Sequence, residues 1–296
     1  MKDDFKFGIE IEFADSRLDL VANRINKYNK YNLISDAWDV RFEHIVSVTD
    51  GEKNVVGGEI VSPILRNNKL SYLAIKNILT ELKKEKAKIN GETGFHMHVD
   101  ALYLGENLEY LNLLELWMAY ENVIYQYGFN PYHKGRVAIL DFAKPLYLFK
   151  RRYLETIDYL RKYNVDFFEA SDYLDLEDIN ALFDKRYGLN YRNIIHSDYY
   201  GDLFDNKQTI EFRCCDGTLD YNKIINIISF FKALVDASKF EQLDFEYLRY
   251  RNNLSYEFRS LEEFSKCNGK DLEELLSLLK LDSETEEKCI KYYYKK

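Results

Sequence analysis

Proline, cysteine and long apolar runs are all scarce in this chain of 296 residues. Three prolines, and no Pro/Gly/Ser-rich tract, leave nothing that reads as a flexible linker between halves. The four cysteines are Cys214 and Cys215, which are adjacent, and the isolated Cys267 and Cys289. Without a C-x-x-C pair, and in a chain expected in the cytoplasm, they read as reduced thiols. No segment approaches the ~18 consecutive apolar residues of a membrane span. The opening "MKDDFKFGIEIEF" carries acids where a signal peptide needs an apolar run, so a cytoplasmic protein without a membrane partner is expected. A basic face is missing too. The formal charge is −9, with acids and bases interspersed, which argues against nucleic acid as a partner because such binding works by counterion release from a cationic surface. Finally, neither G-x-x-x-x-G-K-[ST] nor a strand followed by G-x-G-x-x-G occurs. If ATP binds, it binds on a sheet surface through metals.

What the chain does have is apolar material, 46% of its residues, which is enough for a large core. Phe5 to Phe13 alternates Phe7, Ile9, Ile11 and Phe13 with Gly8, Glu10 and Glu12, the period of a strand with one buried face. Trp38 to Val48 alternates in the same way and predicts a second strand, with His44 on its packed parity. The turn signal "TDGEK" and the following "NVVGGEIVSPIL" predict a hairpin. Helical spacing runs from Asn67 to Lys88, from Asn107 to about Tyr127, over Lys150 to Tyr163, Leu176 to Phe183, Asp220 to Ser238 and Asp271 to Leu279. Phe95 to Val99, "NYRNIIH" and "QTIEFRCC" predict further strands. Hairpins mixed with helices, without strict βα alternation, predict an α+β fold: a mostly antiparallel sheet with helices on one face.

Residues two apart on a strand share a face. Glu10 and Glu12 therefore point together, as do His96 and His98 in "GFHMHVD", and Glu211 and Arg213 in "TIEFRCC". Each pair taken singly reads as a solvated sheet face or a structural ion pair. Three such pairs converging on one surface read as a site for a cation and an anion together. Structural zinc needs Cys and His closing four positions, and that spacing is absent, although a His/Glu set does not exclude catalytic zinc. Several carboxylates, one or two imidazoles and an arginine suit Mg²⁺ or Mn²⁺ bridging phosphates better. Metal ions would then neutralise phosphate, and arginine would stabilise the group in transfer.

"FGIEIEF", "GGEIVSPIL", "GFHMHVD" and "TIEFRCCDGTLD", in this order and at these separations, resemble the amidoligase family, carboxylate–amine ligases related to glutamine synthetase and glutamate–cysteine ligase. The resemblance covers about Phe5 to Ser238. It implies a curved antiparallel sheet whose concave face holds ATP and divalent metal, and amide formation through an acyl phosphate. By motif, Glu10, Glu12, Glu59, His96 and Glu211 are expected to bind metal, with Glu59 in contact with metal or substrate. His98 is expected at the phosphates or a second metal, and Arg213 on the transferred phosphoryl group. Arg192 and Arg136 are expected towards phosphate or substrate. The Cys214–Cys215 pair reads as buried, inert thiols. His133 reads as a loop residue, and His196 shares the parity of Arg192.

The expected organisation is a catalytic domain over residues 1–240 and a helical extension over 241–296 packed on it. Its substrates would be a carboxylate and an amine, small molecule, peptide or cell-wall precursor. Two other readings use the same residues. One is a metal-dependent phosphohydrolase or nuclease; the other is a nucleotide-binding module without turnover.

Overall fold

Alternation in the first strand organises the molecule. The structure, a computed structural model, describes residues 5–30, 37–105, 107–128, 143–146, 150–165, 186–194, 208–239, 243–253 and 269–294. Strand β1 (Lys6–Arg17) buries Phe7, Ile9, Ile11 and Phe13 on one face, as the period-two pattern requires. It is followed by helix α1 (Leu18–Asn29), short strands β2 (Asp39–Arg41) and β3 (Val48–Thr49), β4 (Val55–Val61) and β5 (Leu65–Arg66). Helix α2 (Lys69–Lys84) leads to β6 (Gly94–Asp100). The sheet order is β2-β4-β1-β6 followed by β8 (Thr209–Asp216) and β7 (Leu189–Asn190), and its strand pairs are antiparallel. Strand β3 pairs with β4, and β5 with β1. The α+β architecture with an open antiparallel sheet is as expected.

Local signals explain where the helices start. The Asn68 side chain accepts the Ser71 amide at 3.0 Å and caps α2, while Lys83 and Lys84 sit in its last turn, where the helix dipole favours cations. Short helix α3 (Ala101–Leu104) follows β6 and precedes the long α4 (Asn107–Gly128) and α5 (Lys150–Tyr163). Asp220 caps α6 (Tyr221–Ser238) by accepting the Asn222 amide at 2.8 Å. The apolar face of the sheet packs on α4 and α6. Phe212 of β8 packs against both Trp117 and Phe231, with ring centroids 5.8 and 4.4 Å away. Helices α7 (Phe245–Asn253), α8 (Gly269–Leu279) and α9 (Ser283–Tyr294) follow. They dock on the same helical layer: Asn252 donates to the Glu115 carbonyl at 3.1 Å and Tyr127 to Cys289 Sγ at 3.5 Å.

Two strand expectations are corrected. Trp38 to Val48 is not one strand, because β2 and β3 pair with opposite ends of β4 and skip its glycines. Gly57 has φ +86°, and a Cβ there would lie 2.3 Å from the Val46 carbonyl oxygen, so only glycine lets the chain cross. Ser47 closes the turn, its amide bonding Glu43 O at 2.8 Å and its hydroxyl bonding Gly57 O at 3.1 Å. His44 sits exposed in that turn, edge-on to Phe42, and is not packed as its parity suggested. Of the described residues of "NYRNIIH", Asn190 alone joins the sheet. The Asn190 Oδ1 accepts the Arg192 amide at 2.7 Å, a local side-chain bond that turns the chain into a 3₁₀ segment over Arg192–Ile194. The helix expected at Leu176 to Phe183, and His133, Arg136, His196 and Cys267, lie outside the described residues.

Candidate active site

Strand register brings the three polar pairs together. In the antiparallel pairing of β1 with β6, Glu10 stands opposite His96; in that of β6 with β8, His98 stands opposite Glu211. Glu10 uses both oxygens: Oε2 is 3.0 Å from His96 Nδ1 and Oε1 is 3.1 Å from His98 Nε2. His98 Nε2 is also 3.8 Å from Glu211 Oε1, and His96 Nδ1 is 3.9 Å from the same oxygen. Glu12, on the next turn of the pleat, lies 3.7 Å from His96 Nε2 and accepts the Gly94 amide. Arg213 donates from Nη1 to Glu211, whose second oxygen is 3.3 Å from the Asn190 side-chain amide. Glu12, His96 and Glu211 are buried.

The cluster sets opposite charges in direct contact. Burial alone would raise the Glu10 carboxyl, but the His98 charge and hydrogen bonds from His96 and His98 hold it well below the usual carboxylate range. Burial likewise opposes ionisation of Glu211, and the guanidinium of Arg213, then His98, lower it despite repulsion from Glu10. Burial would lower Arg213, and Glu211 more than compensates. Glu59 behaves in the opposite way. It faces Glu12 across β1 and β4, and Arg41 across β4 and β2. Burial first, then the charges of Glu10, Glu43 and Glu12, push its carboxyl up to about 8, with Arg41 only partly offsetting them.

This donor set fits a hard divalent cation. Glu10, His98 and Glu211 each offer one ligand atom, all within 4.8 Å of one another. Carboxylate oxygens with an imidazole nitrogen match Mg²⁺ or Mn²⁺ and admit zinc. Two further atoms support a ligand here. His96 Nε2 and Arg213 Nε are buried without a hydrogen-bond partner, whereas buried polar atoms are ordinarily satisfied.

Of the residues singled out in the sequence, Glu10, Glu12, His96, His98, Glu211 and Arg213 meet directly. Glu59 shares their face, one strand further out. Arg192 stands two residues beyond Asn190, on the 3₁₀ segment. The three-residue cation group contains His98, expected at the phosphates or a second metal, whereas His96 bonds Glu10 from the side. Asn190 and Arg41 were not singled out. Arg41 was legible from the alternation around Trp38, and Asn190 from its place two before Arg192; a single strand gives no reason to assign either a role. Cys214 is buried, and burial, then its neighbour Cys215, raise its thiol well above the usual value, so it is an inert packing residue. Among the described residues no helix is long and apolar enough to cross a membrane.

A family model described as "Putative amidoligase enzyme" matches residues 3–235. No curated protein matches the sequence. Among solved structures, a bifunctional glutathione synthetase from Pasteurella multocida aligns with a TM-score of 0.48 and 12% identity, covering 99% of this chain and 47% of that one. The chain thus spans about half the length of that protein, and a likeness at this level carries no argument about fold or chemistry.

Proposed function

The chain belongs to the amidoligase family, and from that premise we propose that it is an ATP-dependent carboxylate–amine ligase. The observation that carries this reading is the meeting of Glu10, His96, His98 and Glu211, with Arg213 beside them, on one buried sheet face. In the reaction, a substrate carboxylate oxygen attacks the γ-phosphorus of ATP, and ADP leaves. The acyl phosphate is then attacked by an amine, which loses a proton, and phosphate departs as the amide forms.

Glu10, His98 and Glu211, with Glu12, Glu59 and His96 around them, would hold Mg²⁺ or Mn²⁺, which supplies charge neutralisation for the triphosphate. The protein's own contribution is orientation. His96 fixes one oxygen of Glu10, the Gly94 amide fixes Glu12, and Asn190 fixes Glu211. Arg213, held by Glu211, offsets charge developing on the transferred group. Arg192 and Arg136 are assigned to phosphate or substrate on the family pattern alone. We read the sheet as a curved catalytic sheet of the glutamine synthetase and glutamate–cysteine ligase type. On this reading residues 1–240 form the catalytic unit of a cytoplasmic enzyme, and 241–296 an extension docked on it.

Hydroxylamine trapping tests the proposal. With ATP, Mg²⁺ and a panel of carboxylates, the purified protein should form a hydroxamate and release ADP in equal amounts. Phosphoester cleavage that proceeds without ATP would instead identify a hydrolase. ATP binding with no ADP release under any carboxylate would identify a silent module.

A further inference from the structure

Beside the Glu/His cluster the polar face opens into a cavity of about 480 Å³, within the range of small-molecule sites. Its lining includes Glu10 and His98, so it shares two residues with the cluster. Gly8 forms part of that lining, where the period of β1 puts a side chain on the polar face.

The glycine is not there for its backbone. A Cβ on Gly8 would meet nothing closer than Ser62 Oγ at 3.7 Å and His98 Cβ at 3.8 Å, which is ordinary contact. Glycine inside a strand weakens it, and one that neither turns nor crowds the chain marks a place where a ligand approaches. The walls have a mixed character. Val61, Pro63, Ile64 and Leu102 are apolar, and Lys6 and Arg41 are cationic. Ile64 is 67% exposed and Leu102 75% exposed, so two large aliphatic side chains border the cavity without protein covering them. Lys6 lies 3.3 Å from Asp100, another lining residue, and Arg41 lies 2.7 Å from Asp39.

We propose that this cavity is the carboxylate-substrate subsite, and that it takes an amino-acid-sized carboxylate with an aliphatic or aromatic side chain. The proposal rests on the ligase reading only for calling the occupant a substrate. The apolar body lies over Gly8 against Val61, Pro63, Ile64 and Leu102. The reacting carboxylate points to the Glu10 and His98 end, where the cations and the transferred phosphoryl group meet. A second charged group, where the substrate carries one, is cationic and meets Asp100, whose neighbour Lys6 is already paired with it. A strongly acidic side chain has no such place, because Glu10 and Asp100 flank the apolar wall.

Ligand-observed NMR separates this inference from the ligase reading, because it needs no turnover. The probes are leucine, phenylalanine, glycine and glutamate, with Mn²⁺ affinity measured in parallel. Leucine or phenylalanine should bind the wild-type protein at least tenfold more tightly than glycine or glutamate. Gly8→Val, whose branched side chain suits a strand and extends into the cavity, should weaken that binding at least tenfold. Leu102→Glu, at an exposed position that does not threaten folding, should weaken it as well. Tighter binding of glutamate, binding of none of the four probes by a protein that holds Mn²⁺, or wild-type binding in both variants overturns the subsite. Apolar probes that bind but never form a hydroxamate with ATP leave the subsite standing and sink the ligase. Hydroxamate formed from glutamate alone does the reverse.

Discussion

Glu10 and His96 face each other across β1 and β6, with Oε2 and Nδ1 3.0 Å apart. The register of two neighbouring strands thus does what a loop does in many enzymes, and does it on a rigid frame. The alternative register, with β6 shifted by one residue, would turn His96 and His98 into the apolar layer and leave Glu10 on the polar face without them. Sheet packing and site geometry are therefore one property: the face that buries Ile9, Ile11 and Met97 fixes where the carboxylate and the imidazole meet.

Glu10→Gln keeps the volume of this side chain and removes its charge. The two histidines lose their shared anion, and the Glu10–His98–Glu211 group loses its central carboxylate. Turnover should fall by about 10²–10³-fold, the scale seen when one preorganised electrostatic contact is lost. The far-UV circular dichroism spectrum should be unchanged, and Mn²⁺ affinity measured by electron paramagnetic resonance should drop with the rate. Wild-type Mn²⁺ affinity in a folded variant would remove Glu10 from the cation site.

Arg213→Lys separates charge from shape. Arg213 is largely buried against Glu211, and an ammonium keeps the positive charge but loses the planar fork that binds Glu211 and, in the proposed reaction, would also reach a phosphoryl oxygen. The variant should fold, bind ATP within a few-fold of wild type, and lose kcat rather than raise KM. Arg213→Met should instead lose stability by about 3–5 kcal/mol in urea, because Glu211 is left buried without its partner.

Glu59 gives the chelator-treated protein a pH signature. Its carboxyl is raised from an ordinary value of 4.5 to about 8, so between those values the folded state holds a proton that the unfolded chain has released. Stability from this group is fully present below about pH 4.5 and is lost as pH rises towards 8. Glu59→Gln, permanently neutral, should match wild type in acid and exceed it in stability at about pH 9. Urea midpoints across that range check it, and a variant less stable than wild type at about pH 9 would contradict the assignment. Added Mn²⁺ should reduce the difference, since a cation favours the ionised carboxylate.

Much of the sheet was legible because its signal is local. Phe7 to Phe13, Phe95 to Val99 and Ile210 to Phe212 alternate cleanly, and alternation fixes which residues share a face. It also named Glu10, His96 and Glu211 as partners in kind. It did not give the register that sets Glu10 against His96, because pairing is a property of two strands and each sequence stretch describes one. The breaks at Trp38 to Val48 and at "NYRNIIH" were hidden for a related reason. Gly57 and the Asn190 side chain override alternation through contacts with Val46 and Arg192, and pattern counts do not see single contacts. Gly8 was visible as a letter, but its meaning depends on the cavity above it.

Arg251 tests whether the C-terminal helices form one unit with the rest. On α7, it lies buried over the Tyr120 ring at 4.2 Å, with Nη1 3.1 Å from Glu274 and Nη2 3.3 Å from Asp271 of α8. Its Nε also reaches the Ala119 carbonyl of α4 at 3.4 Å. One side chain therefore ties two C-terminal helices to the helix that backs the sheet through Trp117 and Phe212. Arg251→Met strands Asp271 and Glu274 and should cost about 3 kcal/mol, the lower end for a broken buried pair because Glu274 is partly exposed. If the extension and the sheet fold together, the loss appears as one urea transition shifted as a whole, and fluorescence from Trp117, read in a Trp38→Phe background, follows circular dichroism. An early transition that melts helix while leaving Trp117 fluorescence and Mn²⁺ binding intact would make the extension an independent unit, and would place its edge near residue 240.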